Sequence, residues 1–412
     1  MDHNEIEDSN NMMDSQSKNK CHLKRAWQDE DDEADSIKEQ NKILRQKYIS
    51  IVGKPKWAKI EKQSKNDTDS ADDILKYSGN LARSKKGVNL AKGLISLKKV
   101  RNLNLTTSSC GKILKSLEFH PTSNLALIAG ISGRASVVQV DGFKNEKLQS
   151  VKFQKFPIDC AHFTTDGYQF VVGSRSQRNF YCYDLMEGRS MFIPVHHTIG
   201  VTKMDNFCMS PDGKIIASCG NFGDIHLFTS SSKEWITTLK MNGEVNALTF
   251  TSDGKRMYSF GDLGEIYEWD MINRLCVKKF MDDGCLQGTT LALSNDNQYL
   301  AAGSSSGVVN LYKLPCDVKP KPEKTILNLV TAVTKLKFNK YSNILAMVSD
   351  HKNDAIKLLH VPSKTVFSNF PTTNSNVGKI ASIDFSPNSG YIGLGNNKSE
   401  ALLYKLTHFD NY

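Results

Sequence analysis

The stretch LTFTSDGKRMYSFGDLGEIYEWDM, residues 248–271, contains one complete structural sentence. An apolar-alternating run ends on Phe250. Asp253-Gly254 follows, a dipeptide suited to the positive φ of a tight hairpin turn. MYSFG is apolar and compact, as a strand buried on both faces reads. Asp262-Leu263-Gly264 marks a second bend, and a third run ends on Trp269-Asp270.

The same sentence recurs outward in both directions. Its copies begin at SLEFHPTSN, CAHFTTDGYQ, NFCMSPDGK, LALSNDNQ, LKFNKYSN and IDFSPNSG. The anchor residues are Phe119, Phe163, Met209, Phe250, Leu293, Phe338 and Phe385, spaced by 44, 46, 41, 43, 45 and 47 residues. The third run ends on a large residue in six copies: Tyr183, Phe228, Trp269, Tyr312, Leu359 and Tyr404. Six further runs lie between the copies: KLQSVKF, RSMFIPV, EWITTLK, RLCVKKF, EKTILNL and KTVFSNF. Four short strands per unit at a period of 40–45 residues is the signature of a WD40 propeller blade. The expected fold is all-β, a seven-bladed WD40-type β-propeller with a disordered, charged N-terminal tail. Trp269-Asp270 is the one literal Trp-Asp among these copies, and the repeats are degenerate. The seventh outer strand must come from ahead of the first copy. LISLKKVRNL, residues 94–103, is the candidate that would close the ring. The domains are therefore expected at 1–93 for the tail and 94–412 for the propeller.

Composition agrees. The 412 residues carry 53 Lys and Arg against 44 Asp and Glu, a net charge of +9. The mean hydropathy is −0.41. Residues 1–40 hold 12 acids and 5 bases, and residues 41–110 hold 16 bases and 5 acids. So polar a segment cannot easily offset its ordering entropy by burial. No apolar run is long enough to span a bilayer as a helix, and MDHNEIEDSNNMMDS offers nothing to read as a secretory signal. No membrane partner is expected. Nine scattered cysteines without a Cys-x-x-Cys pair read as reduced thiols, mostly buried in apolar runs.

Two islands interrupt the polar tail. Trp27 precedes the acidic block Asp29–Glu33, and Ile51-Val52-Gly53-Lys54-Pro55-Lys56-Trp57 joins apolar residues to lysines. Trp27, Ile51, Val52, Gly53, Pro55 and Trp57 are read as partner-docking residues. Between the islands, Ser36–Tyr48 can form a helix, with Ser36 and Glu39 as a capping box and Leu44 on a thin apolar stripe. Lys54, Lys56, Arg83, Lys85, Lys86, Lys98, Lys99 and Arg101 form a basic series. Such a series can meet phosphates without reading sequence. No phosphate loop, nucleophile elbow or HExxH motif is present, so no enzyme, cofactor, metal or small-molecule substrate is expected. Asp262, Glu265, Glu268 and Asp270 cluster in one blade and are read as turn and rim polarity. His196-His197 is read as a loop pair.

Together these residues resemble a known family. Trp27 with its acidic block, Val52–Ala58, the seven degenerate blades, Leu358–Pro371 and Leu403–Phe409 are similar to the U3 small nucleolar RNA-associated protein 18 family. The resemblance implies a non-enzymatic scaffold of the small-subunit processome in the nucleolus. Its partners would be other propeller proteins of the processome subcomplex, the U3 ribonucleoprotein and precursor rRNA. Its role would be in precursor rRNA processing and 18S rRNA maturation. Some members carry a Leu-Phe tail motif that recruits a helicase. Here Leu-Phe occurs at Leu227-Phe228, inside a blade, so that role is not carried over. The alternative is a generic propeller adaptor in another complex, such as a ubiquitin-ligase substrate receptor.

Overall fold

The computed structural model describes residues 90–105, 113–317, 319–372 and 376–409, with the isolated positions Leu44 and Gln46 upstream. Among the described residues, twenty-eight strands form seven four-stranded antiparallel sheets around a central channel. Blades 1–7 take as innermost strands Leu114–Phe119, Cys160–Phe163, Phe207–Met209, Val245–Phe250, Gly288–Leu293, Lys335–Phe338 and Ile380–Phe385. Each ends on the anchor that the repeat identifies. The second strands of blades 1, 6 and 7, Leu125–Gly130, Ile344–Val348 and Tyr391–Asn396, are buried along their whole length, and those of the other blades are buried in all but their first residue. Here each blade packs against its neighbours face to face.

The hairpin turns behave as their chemistry requires. Gly167, Gly213 and Gly254 take φ of 74°, 73° and 67°. Asn297, Ser342 and Ser389 take the same left-handed conformation at 56°, 57° and 59°. The turns also touch one another. His120 of blade 1 lies 2.8 Å through Nε2 from the Gly167 carbonyl of blade 2. Ser252 N–H donates to Asn297 Oδ1 at 2.9 Å, joining blades 4 and 5. A side chain on Gly167 would run into the His120 ring.

Six blades draw all four strands from consecutive chain. Blade 7 does not: its outer strand is Leu97–Lys99, paired with Ala401–Leu406 in the register Leu97 to Leu406 and Lys99 to Tyr404. Val100 N–H donates to Leu403 O and Leu103 N–H to Ala401 O, both at 2.9 Å. Ile95, Leu103 and Leu406 are buried. The outer strands of blades 5, 6 and 7 are shorter than the apolar runs suggest, at Lys324–Ile326, Thr365–Val366 and Leu97–Lys99. Of the expected Ser36–Tyr48 helix, Leu44 and Gln46 are described and helical. Leu44 is half-buried against the core shared by blades 1 and 2.

Two stability predictions follow from this packing. Leu103→Ala should cost about 2–5 kcal/mol in urea unfolding, because a fully buried leucine leaves a cavity at the seam. Gly167→Ala should cost roughly 1–3 kcal/mol, since it adds both left-handed strain and a clash with His120. Gly284→Ala, also at positive φ but with open space around it, should cost less than Gly167→Ala in the same assay.

Candidate functional site

The innermost strands surround a channel of about 530 Å³ walled by all seven blades. Its polar side chains reach sideways to the next blade. Ser116 Oγ donates to Ala161 O at 2.8 Å, and Glu118 Oε2 accepts Phe163 N–H at 2.7 Å. Asn206 Nδ2 donates to Asn246 O, and Asn246 Nδ2 to Gly288 O, both at 2.6 Å. Thr289 Oγ1 donates to Val333 O at 2.6 Å. Asp384 Oδ2 accepts Phe119 N–H at 2.8 Å, and its other oxygen meets Lys337 Nζ at 3.2 Å. The Asp384 carboxylate raises the Lys337 pKa, against the effect of burial. For Glu118, burial alone would raise the pKa. His162, Lys337 and the Phe163 N–H outweigh it and hold the carboxyl below its ordinary value. These charges act as latches between blades, and among the described residues no His, Cys, Asp and Glu group has the arrangement of a metal site.

The blade 4 acids are likewise committed to structure. Asp262 Oδ1 accepts Glu244 N–H at 2.9 Å. Glu265 Oε2 accepts the Tyr267 hydroxyl at 2.9 Å, Glu268 pairs with Arg256, and Asp270 caps its turn by accepting Ile272 N–H at 3.0 Å. Trp269 Nε1 donates to Ser259 Oγ at 2.8 Å, which locks the third strand to the second. His196 and His197 occupy the loop after Arg189–Ile193 with ring centroids 4.3 Å apart. The rings thus lie side by side, where a strand would have sent them to opposite faces.

Of the residues singled out in the sequence, Trp27, Ile51, Val52, Gly53, Lys54, Pro55, Lys56, Trp57, Arg83, Lys85 and Lys86 lie outside the described residues. Lys98, Lys99 and Arg101 lie on or just after the closing strand and are exposed. Lys98 stands opposite Lys405, so the blade 7 rim carries a short basic row. Arg101 donates to Phe143 O at 3.5 Å.

A further surface was missed by the sequence reading. In an antiparallel meander, the turns between second and third strands share one face with the loops linking blades. On that face Ile131, Phe222, Leu263, Leu286, Leu327 and Val330 are exposed, Phe222 at 78% and Val330 at 84%. The signal was present in Phe222-Gly223 and Leu263-Gly264, apolar residues placed inside tight turns. Six exposed apolar side chains thus share one face of the ring.

No protein-family profile matches the chain. Similar proteins do. A fruit-fly (Drosophila melanogaster) protein named U3 small nucleolar RNA-associated protein 18 homolog is 34% identical over 433 residues, spanning 99% of this chain and 85% of its own length. Its human counterpart is 38% identical over 373 residues, 88% of this chain. The chain belongs to the U3 small nucleolar RNA-associated protein 18 family. The yeast (Saccharomyces cerevisiae) member is 26% identical, with 89% of this chain and 73% of its own length aligned. The chain spans 66% of the human relative's length and 62% of the mouse relative's. Because the fruit-fly alignment covers 99% of this chain, it takes in both tail islands as well as the propeller.

The latches set an expectation for this family member. Asp384→Ala should destabilise the propeller by about 1–3 kcal/mol in urea unfolding, because a buried Phe119 N–H loses its acceptor. Asp384→Asn keeps an acceptor oxygen and should lose less.

Proposed function

We propose that the chain is a non-enzymatic scaffold subunit of the small-subunit processome, associated with the U3 ribonucleoprotein and required for precursor rRNA processing and 18S rRNA maturation. The observation that carries this reading is family membership extending over tail and propeller alike. The relatives' shared name ties them to U3 small nucleolar RNA, and we extend that association to this chain.

In this reading the propeller is a rigid body with two uses. The face carrying Phe222, Leu263 and Leu286 packs against other propeller proteins of the subcomplex. The tail docks through Trp27, Ile51, Val52, Gly53, Pro55 and Trp57. Lys54, Lys56, Arg83, Lys85, Lys86, Lys98, Lys99 and Arg101 lie near RNA phosphates. The place of action is the nucleolus. No cofactor, membrane or small-molecule substrate takes part. The tail islands favour this reading over a generic adaptor such as a ubiquitin-ligase substrate receptor, which has no use for them.

The test is a tagged pull-down from nuclear extract at moderate salt, probed for U3 RNA and precursor rRNA. Co-enrichment of both in a very large particle is expected. Removing residues 1–90 should abolish that enrichment while the propeller still melts cooperatively, and Phe222→Asp with Leu263→Asp should weaken it. Recovery of a small complex without U3 RNA would overturn the proposal.

A further inference from the structure

Five cations gather where blades 1 and 2 meet. Arg134 follows the turn between the second and third strands of blade 1, Lys152 ends its outer strand, and Lys155 lies in the loop that leads to blade 2. Arg175 and Arg178 lie in the corresponding turn of blade 2, between Gln169–Gly173 and Phe180–Asp184. Hydrogen bonds tie these segments together. Phe153 N–H donates to Gly133 O at 2.8 Å, and Gln177 Nε2 donates to Lys155 O at 3.0 Å. Arg134 and Lys152 stand directly opposite each other in the ladder, a like-charge pairing that costs stability. Lys152, Lys155, Arg175 and Arg178 are exposed.

Other cations on this face are matched to carboxylates. Lys240 meets Asp224 at 2.7 Å, and Lys203 meets Asp205 at 3.7 Å. At the junction of blades 1 and 2, Arg175 Nε lies 4.0 Å from Asp205 Oδ2, and Asp159 Oδ2 accepts Arg175 N–H at 2.9 Å. Among the described residues no carboxylate pairs with Lys152, Lys155 or Arg178. The patch thus holds a surplus of positive charge on backbone that the fold has already ordered, so an anionic partner meets no further backbone ordering cost on this side.

The chain itself carries a matching anion. Asp29-Glu30-Asp31-Asp32-Glu33 is a run of five consecutive acids. Leu44, eleven residues after Glu33, rests against the core whose Ala135, Val151, Phe153 and Phe156 adjoin Arg134, Lys152 and Lys155 in sequence. Eleven residues reach at most about 40 Å when extended and roughly 18 Å on average as a flexible linker. The acidic block is therefore confined near the patch at an effective concentration of about millimolar, where several individually weak surface ion pairs suffice. The other basic row, Lys98 with Lys405, belongs to blade 7, whereas Leu44 rests on blades 1 and 2. We propose that Arg134, Lys152, Lys155, Arg175 and Arg178 form a docking surface for this chain's own acidic block, Asp29–Glu33. Docking there sets Trp27, two residues ahead of the block, beside blades 1 and 2 and covers the patch against other polyanions.

The test uses the full-length chain, freed of nucleic acid by nuclease and a high-salt wash. A zero-length carbodiimide joins carboxylates to lysines in contact, mass spectrometry locates the links, and acetylation of each lysine is followed in parallel. Links from Asp29–Glu33 to Lys152 or Lys155 are expected, unchanged on protein dilution and fading at high salt. Asp29→Asn, Glu30→Gln, Asp31→Asn, Asp32→Asn and Glu33→Gln together should speed acetylation of Lys152 and Lys155 about twofold or more, the scale of weak exposed ion pairs. Exposed Lys352 of blade 6 should not change. Arg175→Glu with Arg178→Glu should weaken the links although both lysines remain. Thermal melts check that the arginine variant folds; the acid variant alters no described residue and decides the matter without it. Links confined to tail lysines or to Lys98 and Lys99 overturn the proposal, as do links lost on dilution, which belong to a second copy. Unchanged acetylation in the acid variant overturns it too, and shielding of Lys152 and Lys155 that then arises only with added RNA assigns the patch to nucleic acid instead.

Discussion

The propeller depends on one non-local pairing, that of Leu97–Lys99 with Ala401–Leu406. Six sheets are completed by neighbouring chain; the seventh is completed only when the two ends of the propeller meet. Loop-closure entropy grows only logarithmically, about 0.6 kcal/mol per doubling of length, so joining residues some three hundred apart is less costly than it looks. The offsetting contacts are dense. Ile95 N–H donates to Asn369 Oδ1 of blade 6 at 3.1 Å, and Asn369 Nδ2 returns a bond to Ile95 O at 2.6 Å. Ala401 N–H donates to Asn104 Oδ1 at 3.1 Å in blade 7, and Asn145 Nδ2 of blade 1 donates to Arg101 O at 2.8 Å. One segment of ten residues therefore fastens three blades, and the channel and both faces inherit their geometry from it.

The fold was legible because its information is local. Phe163 and Asp166-Gly167 announce a strand end and a turn within a few residues, and the period carries that message around the ring. The lengths of the outer strands were less legible. Alternating apolar residues report which side is covered, not how many ladder hydrogen bonds persist. In blade 5, Pro320 and Pro322 cannot donate to a ladder, and pairing begins only at Lys324. The closing strand was found by counting, since seven inner copies with six linkers leave one vacancy to fill.

The channel was not legible in this way. Glu118 and His162 meet across 44 residues, and no local pattern distinguishes a glutamate that latches two blades from one that faces water. Only the ring brings them together. The same holds for Asp384 and Lys337, which sequence order separates by a whole blade. The apolar face was readable in part, because an apolar residue beside a turn glycine, as at Phe222, is anomalous for a solvated bend. Leu286 and Val330, in the longer linking loops, carry no such mark.

The seam also ties the tail to the ring. The chain enters the propeller where Gly93 O accepts Ser368 N–H at 3.2 Å, with Leu90 and Leu97 packed against the core of blades 6 and 7. Leu44 rests against the core of blades 1 and 2. The described tail contact and the point of entry thus lie on neighbouring parts of the ring, on either side of the closing segment. An opened seam would lose blade 7's outer strand and the fixed origin of the tail at once. Closure consequently governs more than stability: it sets where Leu90 leaves the ring and where Lys98, Lys99 and Arg101 stand on the blade 7 rim, and so which neighbours those cations can reach.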